Sequence, residues 1–149
     1  DAFSHSDVHI LEIEALNNLY LLKKYEYIML EDYFQLIEKY RQEHYSPLTI
    51  KIVQHIHENI TDRITLNSIS ALVNRSTAYI SMFFKHEVGI GLMDYINLNK
   101  AEESKYFIKY TNTSIAEIAY LFSYCNPAYF SNIFKKYIGM TPSEFRMSK

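Results

Sequence analysis

At 149 residues, 48% hydrophobic and 21% charged, the chain has room for one proper core of about 100 residues plus an appended segment, in the composition range of soluble globular proteins. No apolar run approaches the roughly 18 residues of a membrane span, the opening DAFSHSDVHI has neither the basic start nor the apolar stretch of a signal peptide, and the single Cys125 closes no internal disulfide, so the cytoplasm is the expected compartment. The net charge of −2 conceals an asymmetry: residues 1–47 carry four Lys/Arg against nine Asp/Glu and residues 48–149 eleven against eight, which separates an acidic attachment from a mildly basic functional part.

The chain opens on Asp1 rather than Met, so a piece of a longer protein is expected. Up to Pro47, apolar residues recur at three- and four-residue steps, first through Ile10, Ile13, Leu16, Leu19 and Tyr20, then, after a break near Lys24, through Met29, Tyr33, Ile37 and Tyr40. This predicts two amphipathic helices in a linker or coupling segment over 1–47. They either pack on the domain or on each other, or form a dimerising or signal-coupling arm, and neither sustains the heptads of a coiled coil.

Beyond Pro47 the helix ends are signed by side chains. Thr65 and Ser76 are N-cap residues, Ser114 and Glu117 form a capping box, Asn126 precedes a proline at the first helical position, and Thr141, Pro142 and Glu144 combine both devices. Helices are predicted near 48–59, 66–73, 77–87, 92–108, 115–121, 127–137 and 142–147. No stretch alternates long enough to be a strand, so the fold class is all-α.

Comparing the chain with itself gives the decisive feature. YISMFFKHEVG at 79–89 and YFSNIFKKYIG at 129–139 share a pattern of Tyr, Ser, Phe, Lys, Gly and apolar positions at a constant offset of 50. Upstream, Leu66 matches Ile115 and Ile69 matches Ile118 at an offset of 49, so the second copy has one extra residue in its turn. Each copy is a short helix, a tight turn and a longer helix. In the longer helix, Ile80, Phe83 and Phe84, and correspondingly Phe130, Ile133 and Phe134, form the inward stripe. The opposite face presents Thr77, Ala78, Ser81, Met82 and Lys85 in one copy and Pro127, Ala128, Ser131, Asn132 and Lys135 in the other. Small and hydrogen-bonding side chains let a helix sink into the major groove, and a lysine at its far end reaches phosphate. An ordinary solvated face would not be expected to recur at one register.

These residues resemble the AraC/XylS-type transcription regulators over about 48–149. The resemblance lies in ITLNSISALVNRSTAYISMFFKHEVG, in SIAEIAYLFSYCNPAYFSNIFKKYIGMTPSEFR, and most specifically in Gly139, Thr141, Pro142, Phe145 and Arg146. It implies a seven-helix domain with two helix-turn-helix subdomains, the first at about 64–89 and the second at about 114–139. A rigid linking helix at about 92–108 joins them, and the third helix of each motif enters adjacent major-groove segments. At about 1.5 Å per residue the linking helix spans roughly 25 Å, compatible with two groove segments about one DNA turn apart. The chain departs from the family pattern at Lys100, where arginine is usual, at Ser70 and Ser104, where alanine is usual, and at Ser123, where glycine normally opens the second turn.

The function expected is a sequence-specific DNA-binding transcription regulator, an activator, and not an enzyme. The alternatives are the output domain of a two-component response regulator of the same family, or a helical protein-interaction module. Neither outward face offers an arginine for a bidentate grip on guanine, which predicts an A·T-rich promoter site on double-stranded DNA. Ala78, Met82 and Ala128 are suited to thymine methyls, Asn132 to adenine, and Thr77, Ser81 and Ser131 to tolerant hydrogen bonding, with Pro127 on the same face. Arg75, Lys85, Lys135, Lys136 and Arg146 are the phosphate candidates, followed by Lys100 and Lys105. With little positive charge, a homodimer through residues 1–47 or a preceding domain is expected to raise occupancy, and RNA polymerase is an expected further partner. No cofactor or metal is expected. His55 and His57 fall on different helix faces, His5 and His9 lie near the chain start, and Cys125 reads as a small packed residue. The fourteen tyrosines read as mostly core and rim.

Overall fold

The computed structural model describes Ile13 and residues 19–148. The chain divides into two compact units, Asp1–Ser46 and Pro47–Lys149. All regular structure among the described residues is helical, and no helix there is long and apolar enough to cross a membrane.

Among the described residues of the first unit, helix α1 (Leu19–His44) runs unbroken through Lys24, where the sequence reading placed a break. The backbone is not interrupted there, because the segment holds no Gly or Pro to break it and Lys, Tyr and Glu are adequate helix formers. Tyr25, Met29, Tyr33 and Leu36 are half-buried on one face, whereas Tyr27, Leu30, Phe34 and Ile37 are exposed on the other. Ile10 and Leu16, assigned to the earlier amphipathic stretch, lie outside the described residues; Ile13 is helical.

The second unit contains seven helices: α2 (Pro47–Glu58), α3 (Leu66–Val73), α4 (Thr77–Val88), α5 (Leu92–Tyr110), α6 (Ile115–Leu121), α7 (Pro127–Ile138) and α8 (Pro142–Met147). Their starts follow the capping chemistry. The hydroxyls of Thr65, Ser76, Ser114 and Thr141 accept from the backbone N–H three residues on, and Asn126 accepts from those of Ala128 and Tyr129. Ser68 closes a capping box on Thr65 in the place that Glu117 and Glu144 take at α6 and α8. Helices α4 and α7 both stop at a glycine in the left-handed region, Gly89 at φ 85° and Gly139 at φ 88°, the backbone basis of the conserved spacing between the copies.

Two apolar clusters hold this unit together. One joins Ile52 and Ile56 of α2, Ile69 of α3, Ile80 and Phe84 of α4, and Leu92 and Ile96 of α5. The other joins Ala101 and Ile108 of α5, Ile118 and Ala119 of α6, Phe122 and Tyr124 of the turn, and Phe130 and Phe134 of α7. Helix α5 therefore serves both cores, with its first half in one and its second half in the other, and at 19 residues it is about 28 Å long. Half-buried Ile60 packs against both clusters.

The turns explain the change of offset. Asn74 at φ 51° and Ser123 at φ 60° are equivalent at 49 residues apart, and both occupy the left-handed region. The extra residue thus falls between Ser123 and the cap Asn126. It lengthens the segment that carries Tyr124, whose ring is buried and whose hydroxyl donates to Asn97 Oδ1 at 2.9 Å.

Candidate nucleic-acid interface

Helices α4 and α7 are held by the same device. On each, two side chains of the inward stripe are fully buried, Ile80 with Phe84 and Phe130 with Phe134, while Phe83 and Ile133 are half-buried. Anchoring one stripe fixes which residues face outward. On α4, Ala78, Ser81 and Lys85 are exposed, Thr77 is half-buried, and Met82 is 70% exposed. On α7, Ala128, Asn132 and Lys135 are exposed and Pro127 is half-buried. Ser131 is half-buried and donates its hydroxyl to the Pro127 carbonyl at 3.0 Å, which leaves the oxygen as an acceptor.

The basic residues fall into two groups. Arg75, Lys85 and Lys135 are exposed. Lys136 is exposed too, but its ammonium lies 2.8 Å from Asp94 Oδ1 at the start of α5 and donates to Tyr137 Oη at 3.1 Å, while Tyr137 Oη donates to the same carboxylate at 2.6 Å. The hydrogen bonds from Lys136 and Tyr137 hold the Asp94 carboxyl below its ordinary range, and the Asp94 partner raises Lys136. Arg146 turns inward, with Nε donating to the Ile108 carbonyl at 3.0 Å and Nη2 to the Thr113 carbonyl at 2.6 Å. It fastens α8 to the C-terminal end of α5 and the strand-free loop that follows. Lys105 is half-buried and paired with Glu102 one turn earlier.

Lys100 is no phosphate contact. It is 5% exposed, and its ammonium donates to the Asp62 and Phe122 carbonyls at 2.7 Å each. Burial pushes its pKa down to about 8, partly opposed by the Asp62 charge. The signal was present in the sequence, because Leu92, Ile96, Lys100, Ser104 and Ile108 recur every fourth residue and all five are buried. A lysine on that stripe must face the interior.

Between the two helix-turn-helix units lies an open groove of about 370 Å³, lined among others by Arg63, Thr65, Met93, Asn97, Asn126 and Tyr129. Arg63 lies in the loop before α3 and Asn97 on α5, away from the outward faces of α4 and α7 that the sequence repeat marks. Cys125 is exposed at this groove and is not packed, because its neighbour Tyr124 takes the buried slot of the turn. Burial raises the pKa of the Tyr124 hydroxyl. Tyr124 is also the one buried tyrosine, and Tyr20, Tyr27, Tyr40, Tyr79, Tyr106, Tyr110, Tyr120 and Tyr129 are exposed, so the tyrosines are a surface feature more than a core one. His57 bonds the Tyr95 hydroxyl at 3.2 Å, His55 lies against Asn59, and His5 and His9 lie outside the described residues. No group of three or more metal-ligating side chains is assembled among the described residues.

A family model described as a helix-turn-helix domain matches residues 69–148. The chain is 35% identical over 99 residues to the bifunctional transcriptional activator/DNA repair enzyme AdaA of Bacillus subtilis, a match covering 66% of this chain and 47% of that protein, so the chain spans less than half of this relative. Among solved structures, the C-terminal domain of the two-component response regulator yesN from Fusobacterium nucleatum superposes with a TM-score of 0.64 at 32% identity, covering 68% of this chain and 99% of that one. The C-terminal domain of AraT, a response regulator from Geobacillus stearothermophilus, gives a TM-score of 0.66 at 30% identity, covering 70% and 87%.

Proposed function

The chain belongs to the AraC-type helix-turn-helix family of transcriptional regulators, and from that premise we propose that its second unit binds double-stranded DNA by placing α4 and α7 in adjacent major-groove segments. The observation that carries this reading is the shared register of the two helices. At positions 50 apart, each buries the same stripe and turns the same small or hydrogen-bonding residues to solvent, ending in Lys85 and Lys135. Thr77, Ala78, Ser81, Met82, Pro127, Ala128, Ser131 and Asn132 meet base edges. With no arginine on these faces, the site is A·T-rich, thymine methyls lying against Ala78, Met82 and Ala128 and an adenine pairing with Asn132. Arg75, Lys85 and Lys135 contact phosphate, and Lys136 joins them when it leaves Asp94. Arg146 supports the interface from within.

The protein acts as a cytoplasmic transcription activator that meets RNA polymerase at its promoter, and it has no enzymatic activity of its own. Two copies joined through residues 1–47 or a preceding domain supply the occupancy that a modestly charged single copy lacks. The likeness to C-terminal domains of two response regulators favours a second reading, in which this chain is the output end of a phosphorylation-controlled protein.

Titration of duplex DNA at two salt concentrations, after selection of a binding site from random sequence, tests the proposal. The expected result is an A·T-rich consensus and a log–log salt slope of about −2.7 to −3.6, from three or four phosphate contacts at about −0.9 each. Absence of binding at low salt would mean a protein-interaction module instead.

A further inference from the structure

We propose that Lys100 and Ser123 form a clamp that fixes the orientation of the two helix-turn-helix units relative to each other, and so the spacing of the DNA segments they accept; the DNA part of this rests on the function proposed above.

The clamp sits where the apolar cores leave off. On the buried stripe of α5, Leu92 and Ile96 belong to the first cluster and Ala101 and Ile108 to the second, with Lys100 between them. Apolar contacts are non-directional and tolerate small rotations of one core against the other. Hydrogen bonds to backbone carbonyls do not.

The Lys100 ammonium donates at 2.7 Å to the Asp62 carbonyl, in the loop that leads into α3, and at 2.7 Å to the Phe122 carbonyl, at the C-terminal end of α6. One residue further, the Ser123 hydroxyl donates to the Thr61 carbonyl at 2.6 Å. Two adjacent residues in the turn of the second helix-turn-helix are thus fastened to two adjacent residues in the loop that leads into the first, one directly and one through α5. The Lys100 link ends on backbone at both sides, and the Ser123 link ends on the Thr61 backbone at one side and on a one-carbon side chain at the other, so the clamp joins frames rather than long mobile side chains.

The loop is itself held, by Asp62 N–H to the Asn59 carbonyl at 2.9 Å and Ile64 N–H to the Asp62 carbonyl at 3.0 Å. On the other side, the Ser123 N–H donates to the Tyr120 carbonyl and that of Tyr124 to the Ala119 carbonyl, both at 2.9 Å. Scaffolding helices α3 and α6 precede recognition helices α4 and α7 by one turn each. Fixing 61–62 against 122–123 therefore fixes α4 against α7.

Two features indicate that the clamp serves geometry more than stability. A buried ammonium carries a desolvation cost that an apolar side chain would not, and here that cost is large enough to lower its pKa to about 8. Ser123 holds a backbone conformation, φ 60°, that glycine would adopt without strain, and its hydroxyl is what glycine would lack.

The test is a distance distribution between spin labels placed on the full chain at Met82→Cys and Asn132→Cys, in a Cys125→Ser background. A single narrow distribution is expected. Lys100→Met and Ser123→Ala should each broaden it while leaving helical content unchanged, and Lys100→Arg, which keeps the charge and the donors, should restore it. Ser123→Ala keeps the test decisive if Lys100→Met does not fold. An unchanged distribution in either folded variant would overturn the clamp. On the selected duplex, inserting one base pair between the two segments displaces them by about 3.4 Å and about 35°. Without the label substitutions, the parent protein should lose roughly tenfold in affinity on that duplex, and the clamp variants less than half as much on a logarithmic scale. Failure of the parent protein to bind any duplex would refute the DNA reading alone, since the label distances decide the clamp without DNA.

Discussion

Lys136 Nζ lies 2.8 Å from Asp94 Oδ1, so a cation on helix α7 is held by the start of α5. The pair is exposed on both sides, with 58% and 53% of each side chain accessible, and such pairs contribute little to stability. Its consequence is for charge available to a polyanion.

Asp94→Asn should release Lys136 toward phosphate. The expected outcome is tighter DNA binding and a log–log salt slope steeper by about 0.9, one further counterion released, with thermal stability nearly unchanged. Affinities measured at three or more salt concentrations check it. An unaltered slope would show that Lys136 either reaches phosphate already or never does.

The buried Lys100 makes stability depend on pH in a definite direction. Its folded-state pKa is about 8 against an ordinary value of 10.5, so between these values the unfolded chain binds more protons than the folded one. Stability therefore rises with pH across that window, as the buried ammonium is relieved of its charge. Below pH 8 both states are protonated and the contribution is flat. Tyr124 complicates the upper end, because burial keeps its hydroxyl protonated in the fold while the unfolded chain releases that proton near the ordinary value of 10, which pulls stability down there. The clean quantity is the difference between the parent protein and Lys100→Met in chemical denaturation at pH 7, 8, 9 and 10. That difference should move in favour of the parent protein as pH rises.

Local chemistry made most of the fold legible. Thr65, Ser76, Ser114, Asn126 and Thr141 each cap the helix that their side chains announced, and helix starts were placed within a residue. The repeat of Ile80 and Phe84 in Phe130 and Phe134 gave the buried stripes of α4 and α7 and, by exclusion, their outward faces. What stayed hidden depends on tertiary partners. The four-residue stripe of α5 already turns Lys100 inward, but the Asp62 and Phe122 carbonyls that hold it, like the Ile108 and Thr113 carbonyls that hold Arg146, come from segments distant in the chain. Cys125 and Tyr124 compete for one buried slot, and nothing in their order along the chain says which wins. The groove lined by Arg63 and Asn97 exists only where the two helix-turn-helix motifs meet, so no single-helix pattern points to it.

Arg146→Ala separates support from contact. Removal of a guanidinium that donates to the Ile108 and Thr113 carbonyls loses two charge-assisted hydrogen bonds and unfastens α8 from α5. A destabilisation of about 2 to 3 kcal/mol is expected, read as a lower midpoint in denaturant. The salt slope of DNA binding, measured well below the unfolding temperature, should stay the same. A shallower slope with unchanged stability would assign Arg146 to phosphate instead.

Asn132 and Lys135 sit one turn apart on the exposed face of α7, and their substitutions should fail in different ways. The Asn132 amide can donate to and accept from one adenine edge, so Asn132→Ala should cost about 1 to 3 kcal/mol on the selected site and relax preference at one base pair, with the salt slope intact. The Lys135 ammonium is a point charge with no base to read. Lys135→Ala should therefore weaken binding to all sequences alike and flatten the slope by about 0.9. Repeating the site selection with each variant tells them apart. If the consensus shifts for Lys135→Ala and holds for Asn132→Ala, the assignment of base and phosphate contacts on α7 is reversed, and the helix lies in the groove with its far end inward.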